Sequence, residues 1–122
     1  MATPDSTMPR VSPQNLFVRL DAILPGFASF WDDPRNCFRE DDGSFTPFGV
    51  FNLFYTYYLE HRSRMPADRS AALGALVSEC MASGDGELAD AAAMGFLEGA
   101  EFDPGFARHL AGEALRYYSL WK

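Results

Sequence analysis

Between Ser70 and Ala107 the chain has no lysine and no arginine, although the same stretch carries Glu79, Asp85, Glu87, Asp90, Glu98, Glu101 and Asp103. These seven carboxylates account for the formal net charge of -7, because the remaining ten acids balance the ten bases. A charge imbalance confined to one segment predicts a surface that meets a basic partner. The acidic balance argues against binding nucleic acid or an anionic membrane, since both rely on Coulomb attraction to bases.

Other absences narrow the field further. No window approaches the roughly 20 apolar residues of a membrane span. The first eleven residues, rich in Pro, Ser, Thr and Asp, lack the continuous apolar stretch of a signal peptide. A cytoplasmic location is therefore expected. The only cysteines, Cys37 and Cys80, match no metal-ligand spacing and form no Cys-x-x-Cys motif, so two reduced, buried thiols are expected rather than a disulfide. His61 and His109 are the only histidines and neither belongs to a Glu-x-x-His pair, which leaves a helical metal site without ligands. Aligning Gly86 with the glycine of a calcium loop puts Met81 at the first ligand position and Ala92 where a bidentate Glu is needed. Neither a Gly-x-Ser-x-Gly elbow nor a glycine-rich phosphate loop ending in Lys-Ser/Thr occurs. The acid pairs Asp32-Asp33 and Asp41-Asp42 read as solvated loop surface. Neither catalysis nor a cofactor is expected.

What is present is a fold-forming composition. At 122 residues with 48% apolar and 15% aromatic content, the chain is long and hydrophobic enough to bury one core without disulfides or metal. Residues 1–11 read as a flexible segment and 12–122 as a single domain. Ser12-Pro13, Thr46-Pro47 and Asp103-Pro104 each place a capping oxygen before a proline suited to the first helical position. Met65-Pro66 does so without the cap. Leu16, Phe17, Leu20, Ile23 and Leu24 form a helical stripe that Pro25-Gly26 ends. Phe27 to Trp31 suits a short helix or turn, and 32–44 a polar loop anchored by Phe38.

The segment from Pro47 to about Arg64 is apolar nearly all round, the pattern of a central helix. Pro66 to Ser83 presents Leu73, Leu76, Val77, Cys80 and Met81 on one face and stops at Gly84. A helix from Asp85-Gly86 to about Gly99 follows, and a last one places Phe106, Leu110, Ala114, Tyr117 and Trp121 on a single stripe. No segment reads as a strand. The expected fold is all-α, a bundle or small helical array of five to six helices.

Four of the seven carboxylates have a local reason. Asp85, Glu87 and Asp90 lie near a helix start, where the macrodipole favours negative charge, and Asp103 is an N-cap. Glu79 and Glu98 lie toward helix C-termini and Glu101 just beyond, where the dipole gives no reason for a negative charge. At about 100° per residue, Glu87, Asp90, Met94 and Glu98 share one narrow face, with Glu101 added if the helix continues. Leu88, Ala91, Ala92, Gly95 and Gly99 form the opposite face, small enough for close helix packing. Like charges three or four apart cost roughly 0.2–0.5 kcal/mol per pair, and no base relieves them. The face is thus mildly unfavourable for folding, as a binding surface with an adaptable methionine at its centre would be. Tyr118, off the final stripe, is a candidate partner-binding residue, since tyrosine is enriched at binding hot spots.

Leu24-Pro25-Gly26-Phe27 with Trp31, the run Ala91-Ala92-Ala93-Met94-Gly95-Phe96-Leu97-Glu98, and Tyr117-Tyr118 before Leu120-Trp121 form three short apolar motifs. Together they resemble a family of short, uncharacterised bacterial helical proteins associated with polymorphic-toxin immunity proteins. The resemblance implies a protein that binds a cognate toxin and blocks it without chemistry of its own. The leading expectation is an immunity-type antitoxin that uses Glu79, Glu87, Asp90, Met94, Glu98, Glu101 and Tyr118 against a basic, nuclease-like surface. Two alternatives remain: a small-molecule or enzymatic domain with a pocket lined by the 48–59 aromatics, and a self-associating scaffold.

Overall fold

The computed structural model describes residues 10–33, 36, 45–99 and 104–120. Its first turn closes on itself: Ser12 N–H donates to Asn15 Oδ1 at 2.8 Å, and Asn15 N–H donates to Ser12 Oγ at 3.2 Å. This reciprocal cap leads into α1 (Leu16–Ile23). Gly26, at φ 102, turns the chain into α2 (Phe27–Trp31). Thr46 Oγ1 accepts from Gly49 N–H at 3.1 Å and starts α3 (Pro47–His61), as the Thr-Pro pair predicts. A 3-10 turn, Arg62–Arg64, and Pro66 precede α4 (Ala67–Ala82), which ends before Gly84 at φ 83. Asp85 then caps α5 (Gly86–Ala92) by accepting from Leu88 N–H. The remaining helices are α6 (Pro104–Ala107) and α7 (Gly112–Ser119), and no strand occurs among the described residues.

Helix α3 is central, packing against α1, α2 and α5. It buries Val50, Phe51, Phe54, Tyr57 and Tyr58. Helix α4 packs against α1, α5, α6 and α7, with Leu73, Leu76, Val77 and Cys80 inward as the periodicity predicts. Burial pushes the Cys80 thiol up to about 12. Cys37 and Phe38 lie outside the described residues.

Between α5 and residue 98 the helix widens. Ala93–Leu97 forms a π turn, with Glu98 N–H donating to Ala93 O at 3.0 Å. Gly95, Phe96 and Leu97 in this wider turn are all buried. Phe96 reaches Phe51, Phe54, Tyr55, Tyr58 and Phe106, while Phe27 joins Phe17, Trp31 and Tyr57 to Phe54 from the other side. The α3 aromatics are thus largely filled against one another.

Three expectations need correction. Val11, assigned to the flexible segment, is buried and its N–H is bonded, so the anchored chain begins earlier than Ser12. The last helix is broken: His109 and Leu110 N–H donate to Phe106 O and Ala107 O, and Gly112 at φ 59 restarts the chain as α7. This break moves the inward stripe to Phe106, Leu110, Ala114 and Tyr118. Tyr118 is therefore core rather than a surface contact, and Tyr117 is the half-buried one. Trp121 and Asp103 lie outside the described residues.

Candidate functional site

Helix α5 positions the acidic face. Its inner side, Leu88, Ala91 and Ala92, is buried. Gly95 continues that side so closely that an added Cβ would lie 3.1 Å from Phe51 Cβ and 3.4 Å from Phe48 O. At Gly99 an added Cβ would meet the Tyr55 ring at 2.6 Å, and the Tyr55 hydroxyl donates to Gly99 O at 2.6 Å. The small residues thus set α5 against α3, as the opposite-face pattern predicts. With that side committed, Glu87 and Asp90 are exposed and Met94 is 50% exposed on the outer side. Neither Glu87 nor Asp90 makes a hydrogen bond or ion pair with the described residues.

The carboxylates that local helix energetics leaves unexplained have internal partners instead. Glu79 accepts from Val11 N–H at 2.7 Å through Oε2 and from the Arg19 guanidinium at 2.9 Å through Oε1. Burial alone would raise its pKa, but the Arg19 and Val11 hydrogen bonds and the charges of Arg19 and Arg10 outweigh burial and lower it. Glu79 is a tie between α4, α1 and the incoming chain, and it does not belong to the acidic face. Glu98 is half-buried and its Oε2 accepts from the Tyr117 hydroxyl at 2.5 Å, which ties the π turn to α7. It stays at the edge of the face. Glu101 lies outside the described residues. The exposed site is therefore Glu87, Asp90 and Met94, with Glu98 bordering it.

Both internal ties were invisible to a local reading, because their partners are 60 and 19 residues away in sequence. Asn52, the polar residue amid the α3 aromatics, donates to Phe48 O at 3.0 Å. Among the described residues no group of three His, Cys, Asp or Glu side chains is placed to hold a metal, and no helix is long and apolar enough to cross a membrane.

The Glu79 tie yields a stability prediction. Glu79→Gln at pH 7 is expected to cost about 1 kcal/mol in urea unfolding, at the low end for a charged hydrogen bond because the carboxylate is more than a third exposed. A carboxylate whose folded pKa is lowered stabilises above its unfolded pKa, and that contribution is lost as pH falls through the folded pKa. The difference between wild type and variant should therefore shrink only below the ordinary carboxylate range. A difference that is flat with pH would show that the tie contributes nothing.

The chain matches no protein-family model, no curated protein and no solved structure.

Proposed function

We propose that the protein is a non-enzymatic binding module that receives a basic protein on the outer face of α5, in its most concrete form an immunity-type antitoxin covering a basic toxin surface. One observation carries this reading. Met94 is half exposed between the exposed Asp90 and the bordering Glu98, in a stretch of 38 residues with no lysine or arginine. The charges speed encounter with a basic surface, and the flexible methionine supplies apolar contact once the partner is seated. Internal ties hold Glu79 and Glu98, so among the described residues of this stretch the exposed charge is concentrated on Glu87 and Asp90.

The test is affinity capture from the source cell with wild type and with Glu87→Lys/Asp90→Lys, quantified by mass spectrometry. Wild type is expected to retain a basic protein, with retention falling at least about tenfold in the double variant and falling steeply with salt. The variant is expected to melt slightly below wild type, because lysine at the start of α5 loses the favourable dipole interaction of Glu87, a cost of about 1 kcal/mol or less that leaves the fold intact. Equal retention by both proteins would refute the electrostatic face. Co-purification with the product of the neighbouring gene is the most economical form of the same measurement.

A further inference from the structure

The opposite charge collects at the other end of α3. There, between the ends of α1 and α3 and the start of α4, a cavity of about 250 Å³ is lined by His61, Arg64 and Arg69 beside Ile23, Leu24 and Met65. Among the described residues no carboxylate lines it. Arg64 and Arg69 make no ion pair with the described residues, although the chain has seventeen acids to ten bases. The nearest acids in sequence, Glu60 and Asp68, are both exposed.

Each cation is held by backbone rather than by an opposite charge. Arg69 Nη1 donates to Ala22 O at 2.7 Å and to Ile23 O at 3.0 Å, which satisfies the carbonyl end of α1. Arg64 Nη2 lies 3.1 Å from His61 Nδ1 and makes a long 3.5 Å contact to Glu60 O. A guanidinium only donates, so His61 Nδ1 accepts and the imidazole carries its proton on Nε2. The His61 ring is itself stacked on Tyr57, with centroids 4.2 Å apart. Helix capping explains why arginines stand at two carbonyl ends. It occupies one nitrogen of each guanidinium, leaving the other N–H donors of both side chains beside a neutral imidazole donor.

We infer that this cavity binds the phosphoryl group of a small phosphomonoester, with Arg64 and Arg69 as charge partners and His61 as a neutral donor. Two guanidiniums match the roughly -1.5 to -2 charge of a phosphomonoester at pH 7. Ile23, Leu24 and Met65 offer apolar contact to the carbon body of the ligand. The carbonyl ends of α1 and α3 work against the anion, so the expected affinity is weak, in the millimolar range. This site is independent of the acidic face, and each can fail without the other.

The experiment is a titration of the full chain with inorganic phosphate and with phenyl phosphate, against chloride at matched ionic strength, followed by backbone amide NMR and thermal melting. Saturable shifts confined to residues 23–25 and 61–69, with phenyl phosphate the tighter ligand, are expected. Arg64→Glu should weaken binding at least about tenfold, whereas Arg116→Glu, on an exposed arginine of α7, should leave it unchanged. Because Arg64 is exposed, its variant is checked for an unchanged melting temperature in chloride. Equal shifts with chloride, equal affinity in Arg64→Glu, or phenyl phosphate binding no tighter than phosphate would each overturn the assignment.

Discussion

Phe96→Ala is expected to lower the unfolding free energy by about 3–5 kcal/mol, the range for removing a large buried aromatic. Phe96 is fully buried, and its ring centroid lies 5.2 Å from that of Tyr58, 5.4 Å from Phe106, 5.7 Å from Tyr55, 6.0 Å from Phe51 and 6.1 Å from Phe54. These neighbours belong to α3 and α6, so truncation removes a ring wedged between the two, leaving the direct Tyr58–Phe106 contact. They also have little room to close the cavity, since Phe54 is held from its other side by Phe27 with centroids 5.0 Å apart. Against a typical total of about 5–15 kcal/mol, the loss brings the chain near its unfolding threshold. Urea unfolding measures it, with Phe48→Ala as the comparison. Phe48 is 46% exposed, so its truncation should cost less than about 1 kcal/mol. Similar costs at the two positions would mean that the aromatic cluster is not organised around Phe96.

The second large effect sets helix propensity against space. Gly74 lies inside α4, where propensity alone predicts that alanine stabilises by about 1 kcal/mol. A Cβ there would overlap His109 Cβ and lie 2.8 Å from His109 O and 2.9 Å from His109 C. The obstruction includes backbone, and that backbone is tethered on both sides: His109 N–H donates to Phe106 O at 3.0 Å and Ala111 N–H to Ser78 Oγ at 3.0 Å. Gly74→Ala is therefore expected to destabilise by about 1–3 kcal/mol, with the α6–α7 connection displaced. Gly86→Ala provides the contrast, since nothing lies within 4 Å of its Cβ position, and it should be neutral or stabilising. A thermal melt of both variants decides the matter by sign. A stabilised Gly74→Ala would mean that the connection does not sit on α4.

The parts of the fold that sequence made legible are those set within one or two helical turns. Thr46 and Asp85 cap the helices they precede, Gly84 stops α4, and the small residues of α5 face α3. These follow from side-chain size, proline and hydrogen-bonding capacity at fixed offsets. The final stripe was misread because a helical period assumes an unbroken helix. The break before Gly112 resets the phase, so Tyr118 turns inward in place of Tyr117. The acidic face was legible in outline, but its membership was not. Glu79 and Glu98 look unexplained to any local argument, and Arg19 and Tyr117 reach them only after the chain has folded. The π turn left no mark that periodicity can detect, since it is defined by a hydrogen bond one residue longer than expected.

The close seat of α5 on α3 has a consequence for association. Gly95 allows backbone-near contact with Phe51, and Gly99 O is fixed by the Tyr55 hydroxyl, so the segment presenting Met94 is fastened at one point within the π turn and at another just after it. On the proposed binding role, a surface fastened in this way would give up little conformational entropy on association, chiefly the rotamer freedom of the exposed Glu87, Asp90 and Met94 side chains.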